Sequence, residues 1–271
     1  MPELPEAETI ARALHSALAG RTVRAVSLRR RDFLKTGSLR RLHGLVGRRL
    51  VAVSRRGKSV VFDFAGRRLV LQLGMSGRVQ LARPGRQPPP HTHLVLALAG
   101  RWEVRCANTR RIAAGAHVLA GGQAGPLAAL GPDADVIGSD EFVGRLAGRT
   151  APVKAALMNQ AIVAGVGNIY SDEALFRAAL RPTRRLFRIS RAALLRLHSA
   201  LRAVLAEAIA AGGSTLNDST PYAGALGELG YFTLSHRVYG RYGQPCLDCG
   251  TTLRRAAIGG RTSTYCPRCQ R

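Results

Sequence analysis

"CLDCGTTLRRAAIGGRTSTYCPRCQR", residues 246–271, closes the chain and governs how the rest of it is read. Two residues separate Cys246 from Cys249, sixteen more precede Cys266, and two separate that from Cys269. Each CxxC knuckle offers a pair of thiolates, and a hairpin between two knuckles closes a tetrahedral cage, the ligand set of zinc. Two disulfides would use the same four residues, but a reducing cytosol disfavours them. Four thiolates leave no coordination position open, so the expected cofactor is one structural Zn2+ that matters through what it holds. Between the knuckles, "RRAAIGGRTSTY" reads as a basic hairpin in which Arg261, just after two glycines, offers its fork to a phosphate. Cys106 stands apart and reads as an ordinary buried thiol.

The same basic character runs through all 271 residues, whose formal net charge is +25. Solubility requires far less, so a polyanionic partner is expected, and nucleic acid fits best. No run of ~18 apolar residues suggests a membrane span, and the N-terminus lacks the layout of a signal peptide. The expected setting is therefore the cytoplasm, with no membrane partner. Only Lys35, Lys58 and Lys154 are lysines among 41 basic residues. A GC-rich coding bias toward arginine accounts for most of that skew. A lysine retained against it is a candidate for chemistry that needs a compact donor able to lose its proton.

With 46% hydrophobic residues the chain can bury a large core. "EAETIARALHSALAG", after Pro5, carries apolar residues at helical spacing with acids in its first turn, predicting an N-terminal helix. Short β-rich runs follow from Thr22 to Leu98 ("RTVRAVSL", "RLVAVSRR", "SVVFDF", "RLVLQL", "HLVLAL"), and "RWEVRCANTRRI" reads as one more strand entering a basic turn. These predict an antiparallel β-sandwich. "AAGAHVLAGGQAGPLAALGPDA" is rich in Gly, Ala and Pro and reads as a connection. From Ser139 helices take over, ending in "SRAALLRLHSALRAVLAEAIAAGG". The expected class is α+β: a catalytic β-sandwich with N-terminal helix over 1–120, a linker over 121–138, a helical domain over 139–235 and a zinc finger over 236–271.

At the other end, "MPELPE" admits two readings. Removal of Met1 would expose the secondary amine of Pro2, a nucleophile whose ammonium is more acidic than that of lysine. Condensed with a sugar aldehyde carbon it gives an iminium, an electron sink, with Glu3 and Glu6 at hand for proton transfer and positioning. Alternatively, Pro5 and the acids are ordinary helix-start features, the more common meaning of such a pattern.

Taken in order, "MPELPEAETI", "RRGKSVVFDF", "LGMSGR", "VAGVGNIYSDEALFRAAL", "GYFTLSHRVYGRYGQPC" and the four-cysteine finger resemble formamidopyrimidine-DNA glycosylase across essentially the whole chain. The Leu4 of "MPELPE" resembles the purine-lesion branch rather than the endonuclease VIII branch. The resemblance implies a bifunctional DNA repair enzyme that flips an oxidised purine out of duplex DNA, excises it and cleaves the abasic site by β,δ-elimination. It implies Pro2 as the catalytic amine, Glu3 as general acid/base, Glu6 in support, and Lys58 beside the phosphate and the lesion. Arg261, with Asn168 of a helix-two-turns-helix motif, would grip phosphate. Met75, His91, Arg110, Arg111 and Lys154 complete the implied DNA contacts. The implied protein is a monomer working at the bacterial nucleoid.

Two stretches depart from the family pattern. Where it reads "NDPRRFG", this chain has "ANTRRIA" (107–113), which keeps Arg110 and puts Ile112 in place of the aromatic wedge; an aliphatic wedge also unstacks bases. The lesion-capping stretch, "STLNDSTPYAGALGELGYF" (214–232), is longer and divergent. A preference for oxidised pyrimidines or hydantoins, or a catalytically silent damage-binding protein, are the alternatives. The second fits less well, because Pro2, Glu3, Glu6 and Lys58 are all present.

Overall fold

The computed structural model describes residues 2–85, 87–110, 113–216 and 221–271. They form two compact units, Met1–Ala128 with Ala211–Tyr231, and Ala129–Ala210 with Phe232–Arg271. The class is α+β.

In the first unit, α1 (Leu4–Leu18) begins beyond an extended Glu3, with Pro5 in its first turn. Leu4, Ile10, Leu14 and Leu18 lie on one face and are fully buried. A helix of this length is marginal alone in water; at roughly 2 kcal/mol per buried large apolar side chain, that face fixes it on the sheet. The strands are β1 (Val23–Leu28), β2 (Leu34–Thr36), β3 (Ala52–Arg56), β4 (Ser59–Asp63), β5 (Arg67–Gln72), β6 (Gly77–Ala82), β7 (Thr92–Leu98), β8 (Trp102–Asn108) and β9 (Gly115–Ala120), with a short α2 (Leu39–His43) after β2. They make a four-stranded sheet, β1-β7-β8-β6, and a five-stranded sheet, β2-β9-β5-β4-β3. Among these strands, β2 and β9 pair in parallel and the others antiparallel. Phe62, Leu69, Val79, Leu94, Val104 and Val118 meet in the common core.

The strand β9 corrects one reading. The abundance of Gly and Ala around "GAHVLA" places it within a connection, yet it pairs with β2 on one side and β5 on the other. Five of its six residues are buried. A central strand covered on both faces shows no polar alternation, so the periodicity that marks half-buried strands is missing. The loop between β5 and β6 and the loop between β8 and β9 each carry the chain from one sheet to the other. Register places them side by side: Gly77 is opposite Asn108, and Gln72 opposite Gly115.

The second unit contains α3 (Ser139–Leu146), α4 (Val153–Met158), α5 (Asn168–Arg177) and the long α6 (Arg191–Ala210). Its C-terminal part is the antiparallel hairpin of β10 (Arg254–Ile258) and β11 (Arg261–Tyr265). That hairpin and the knuckles pack on Phe176 of α5, through Val238 and Leu253. Between α6 and this part, residues 211–231 return to the first unit. Their ends are tied by a Ser214–Tyr231 bridge, and Ala225 accepts the N–H of Leu81 on β6.

Candidate active site and nucleic-acid interface

Glu3 and Glu6 are each 1% exposed, and Pro2 is buried beside them. One carboxylate oxygen of Glu6 accepts the Glu3 N–H at 2.7 Å, as in a capping box. Its other oxygen accepts the N–H of Ser214 at 2.8 Å. Glu6 is thereby held as an acceptor, and it fixes the peptide that carries Pro2 and Glu3. The two readings of "MPELPE" thus converge, because the carboxylate that caps the helix also orients the chain start. Room for it comes from Gly213, at φ +87°, where a Cβ would stand 2.7 Å from the Glu6 oxygen. Tyr222 directs its hydroxyl to the Glu6 carbonyl at 3.5 Å, and burial, then the Glu6 charge, raise its pKa. Sequence reasoning missed Gly213 and Ser214, whose sole signal was the "GGS" after a long helix.

Lys58 lies in the two-residue turn between β3 and β4. That turn is tied to α1 through Arg55. Its Nε donates to Glu8 at 2.9 Å while another nitrogen of the same guanidinium donates to the carbonyl of Gly57 at 3.2 Å. Burial alone would raise the pKa of Glu8, but hydrogen bonds from Arg12 and Arg55 outweigh it and hold the carboxyl below its ordinary range. Glu8 looked like a mere first-turn acid; its partner lies 47 residues away.

Of the expected DNA contacts in this unit, Met75 is half-buried in the β5–β6 turn, and His91 and Arg110 are exposed. His91 has a φ of +61°, unusual for a residue with a side chain. Arg111 and Ile112 lie outside the described residues, as does Met1.

In the second unit, Asn168 opens α5 after a loop closed by Gln160. The Gln160 amide donates to the carbonyls of Met158 and Val166 and accepts the N–H of Gly165. Among the described residues, Asn168 Oδ1 is buried without a hydrogen-bond partner at the positive end of the helix dipole. Arg261 is exposed at the first position of β11, opposite Ile258 across a two-residue loop. Two consecutive carboxylates of α5 hold the finger. Asp172 accepts from the hydroxyl of Ser263 and, at 3.0 Å, from the N–H of Thr264. Glu173 accepts the N–H groups of Arg237, Val238 and Tyr239 at 2.8–3.0 Å. Burial pushes both carboxyls up, and these hydrogen bonds pull them back.

Lys154 is the correction in this unit. The family resemblance puts it against DNA, but its side chain is wholly buried and its ammonium donates to Asp172 at 2.6 Å. No phosphate reaches a group with no exposed surface. It belongs to the frame that carries Asn168 and Arg261.

The four cysteines converge, with all Sγ atoms within 4.8 Å of one another. Two of the separations are 3.5 and 4.0 Å, near the ~3.8 Å edge of a tetrahedron with 2.3 Å Zn–S bonds and far beyond a disulfide. Cys246, Cys249, Cys266 and Cys269 therefore fit one structural Zn2+. Cys106 is buried and free, its thiol pushed up to about 12 by desolvation.

Three family models match the chain: the formamidopyrimidine-DNA glycosylase N-terminal domain over residues 1–114, the H2TH domain of the same glycosylase over 129–220, and a zinc finger found in FPG and IleRS over 243–271. The formamidopyrimidine-DNA glycosylase of Cereibacter sphaeroides (strain ATCC 17029 / ATH 2.4.9) is 42% identical over 295 residues, covering all of both chains. The crystal structure of the MutM (FPG) protein from Thermus thermophilus superposes with a TM-score of 0.88 at 39% identity, over 99% of this chain and 98% of that one. A Lactococcus lactis FPG mutant in complex with a Fapy-dG containing DNA gives 0.91 at 29% identity over the whole of both chains. Similarity of this extent, in sequence and in structure, makes the chain a member of the formamidopyrimidine-DNA glycosylase family.

Proposed function

We propose that the chain excises oxidised purines, 8-oxoguanine and formamidopyrimidines, from damaged duplex DNA and then cleaves the strand, with Pro2 as the amine that does both. Related solved structures hold Fapy-dG and carbocyclic 8-oxo-G in DNA. The observation that carries the assignment to this end of the chain is the double hold on Glu6, whose oxygens accept from Glu3 and Ser214.

In this reading, removal of Met1 frees the Pro2 nitrogen. Its lone pair forms a bond to C1′ of the flipped nucleotide, the damaged base leaves with the glycosidic electron pair, and Glu3 delivers a proton to the sugar ring oxygen as the ring opens. The product is an iminium between the proline nitrogen and C1′. Loss of a C2′ proton then expels the 3′-phosphate, and a second elimination expels the 5′-phosphate. Lys58 and Arg261 meet phosphate as cations, and Asn168 meets it as a neutral hydrogen-bonding group at a helix N-terminus. The zinc, when bound, contributes structure to the hairpin bearing Arg261. Backbone grip of this kind supplies affinity without sequence information, which suits an enzyme that must find damage anywhere.

Borohydride reduction tests the reading. The protein should be trapped on duplexes containing an abasic site or 8-oxoguanine, with the reduced adduct mapped by mass spectrometry to the Pro2 nitrogen, and retention of Met1 should abolish that adduct. An adduct mapped to any other amine would remove the proline from the mechanism. Glu3→Gln should suppress base release while sparing lesion binding.

A further inference from the structure

Three candidate DNA contacts of the first unit, Met75, His91 and Arg110, sit on three separate loops, and one buried residue links them, bonding the ends of the Met75 turn and the His91 carbonyl directly and reaching Arg110 through Ser76. The Asn108 amide donates to the carbonyl of Leu73 at 3.0 Å, at the start of the Met75 turn, and its Oδ1 accepts the hydroxyl of Ser76 at 3.2 Å, at the end of that turn. The Ser76 oxygen in turn accepts the N–H of Arg110 at 2.9 Å. Along the backbone, Asn108 N–H donates to the carbonyl of His91 at 3.0 Å, and its own carbonyl accepts from His93 Nε2 at 2.8 Å. Asn108 and Ser76 are buried, whereas Arg110 and His91 are exposed and Met75 is half so.

We infer that Asn108 and Ser76 are positioning residues that tie the Met75 turn, His91 and Arg110 to one another, so that Met75 and Arg110 enter the gap left by a flipped nucleotide together. This rests on the proposed reading of those two side chains as gap-filling groups. The chemistry of Asn108 suits the task, since two of its partners are a carbonyl, which needs a donor, and a hydroxyl, which is given an acceptor. A carboxamide supplies both at neutral pH, from two separate atoms, whereas a carboxylate supplies acceptors alone. The turn leaves no slack, because a Cβ at Gly77 would stand 2.1 Å from the Leu73 oxygen. Holding Met75 and Arg110 in place before DNA binds removes an entropy cost that would otherwise fall on the moment of base flipping.

The experiment compares wild type, Ser76→Ala, Asn108→Ala, the double variant and Met75→Ala on two substrates. One is an 8-oxoguanine duplex. The other is a single-stranded abasic oligonucleotide, where there is no helix to wedge open. Excision from the duplex should fall at least tenfold further than single-strand cleavage in each single variant, and the double variant should be no slower than the worse single one, as for groups acting as a unit. Ser76→Ala removes only a hydroxyl and carries the test alone if Asn108→Ala does not fold. Equal losses on both substrates, additive losses, or unchanged duplex excision would each overturn the coupling. If instead Met75→Ala excises at the wild-type rate, the gap-filling reading fails first.

Discussion

Lys154 and Asp172 form an ion pair sealed inside the second unit: nitrogen and oxygen are 2.6 Å apart, with side chains 0% and 1% exposed. Asp172 also holds Ser263 and Thr264 of β11, so one carboxylate joins α4, α5 and the finger hairpin. Breaking such a pair strands a charge in the interior, at a cost of about 3–5 kcal/mol. Lys154→Met should therefore lower the free energy of unfolding by about that amount. If the protein still folds, the slope of log affinity against log salt should stay as in wild type, because no phosphate contact is lost. A shallower slope would return Lys154 to the DNA interface.

Gly213 makes a sharper test of the chain-start geometry than removal of a carboxylate does. Alanine there faces both a positive φ and a clash with Glu6, whose oxygen lies 2.7 Å and whose Cγ lies 2.9 Å from the added carbon. The strain should cost about 1–3 kcal/mol of stability. Borohydride trapping should slow at least tenfold as Glu6 releases the N–H groups of Glu3 and Ser214. Unimpaired trapping would mean that the hold on Glu6 does not set the reactive geometry.

Burial lowers the pKa of His236 to about 4 from an ordinary 6.5. Its ring packs among Phe232 and Tyr239. Between those values the unfolded chain binds the proton and the folded chain does not, so stability falls as pH drops from about 6.5 toward 4. The loss should reach about 3 kcal/mol. Denaturant melts at stepped pH should show this slope in wild type and a flatter one in His236→Phe. An identical slope in both would assign the acid lability to other groups.

The finger and the helix start separate by charge. Arg261→Ala should weaken binding to every DNA sequence alike and reduce the salt slope by about one, the signature of one lost phosphate neutralisation. Asn168→Ala should weaken binding with the slope unchanged, because a neutral donor releases no counterion. Chelation of the metal should reproduce the Arg261→Ala slope, since the cysteine cage sets the hairpin that presents this arginine. These slopes are read from affinity titrations at a series of salt concentrations.

Much of this was legible in the chain itself. The CxxC spacing announced the metal cage, and the N-terminal helix and most strands followed from periodicity. The strand β9 did not, because a strand buried on both faces carries no alternation to read. The role of Lys154 was misread for a related reason: a retained lysine signals that its chemistry matters, but not whether it faces solvent or a buried aspartate. The pairs Glu8 with Arg55 and Ser76 with Asn108 were invisible, since partners 47 and 32 residues apart share no local pattern.

By itself the sequence determined the residue types that have reactive or ligating chemistry: the proline amine, its neighbouring acids, the four thiolates and the basic surplus. Those depend on side-chain identity and short spacing, which the chain fixes covalently. Only the tertiary structure decided what each group faces, because a carboxylate becomes a cap, a clamp or a proton donor according to which N–H groups and charges the fold brings within about 3 Å of it.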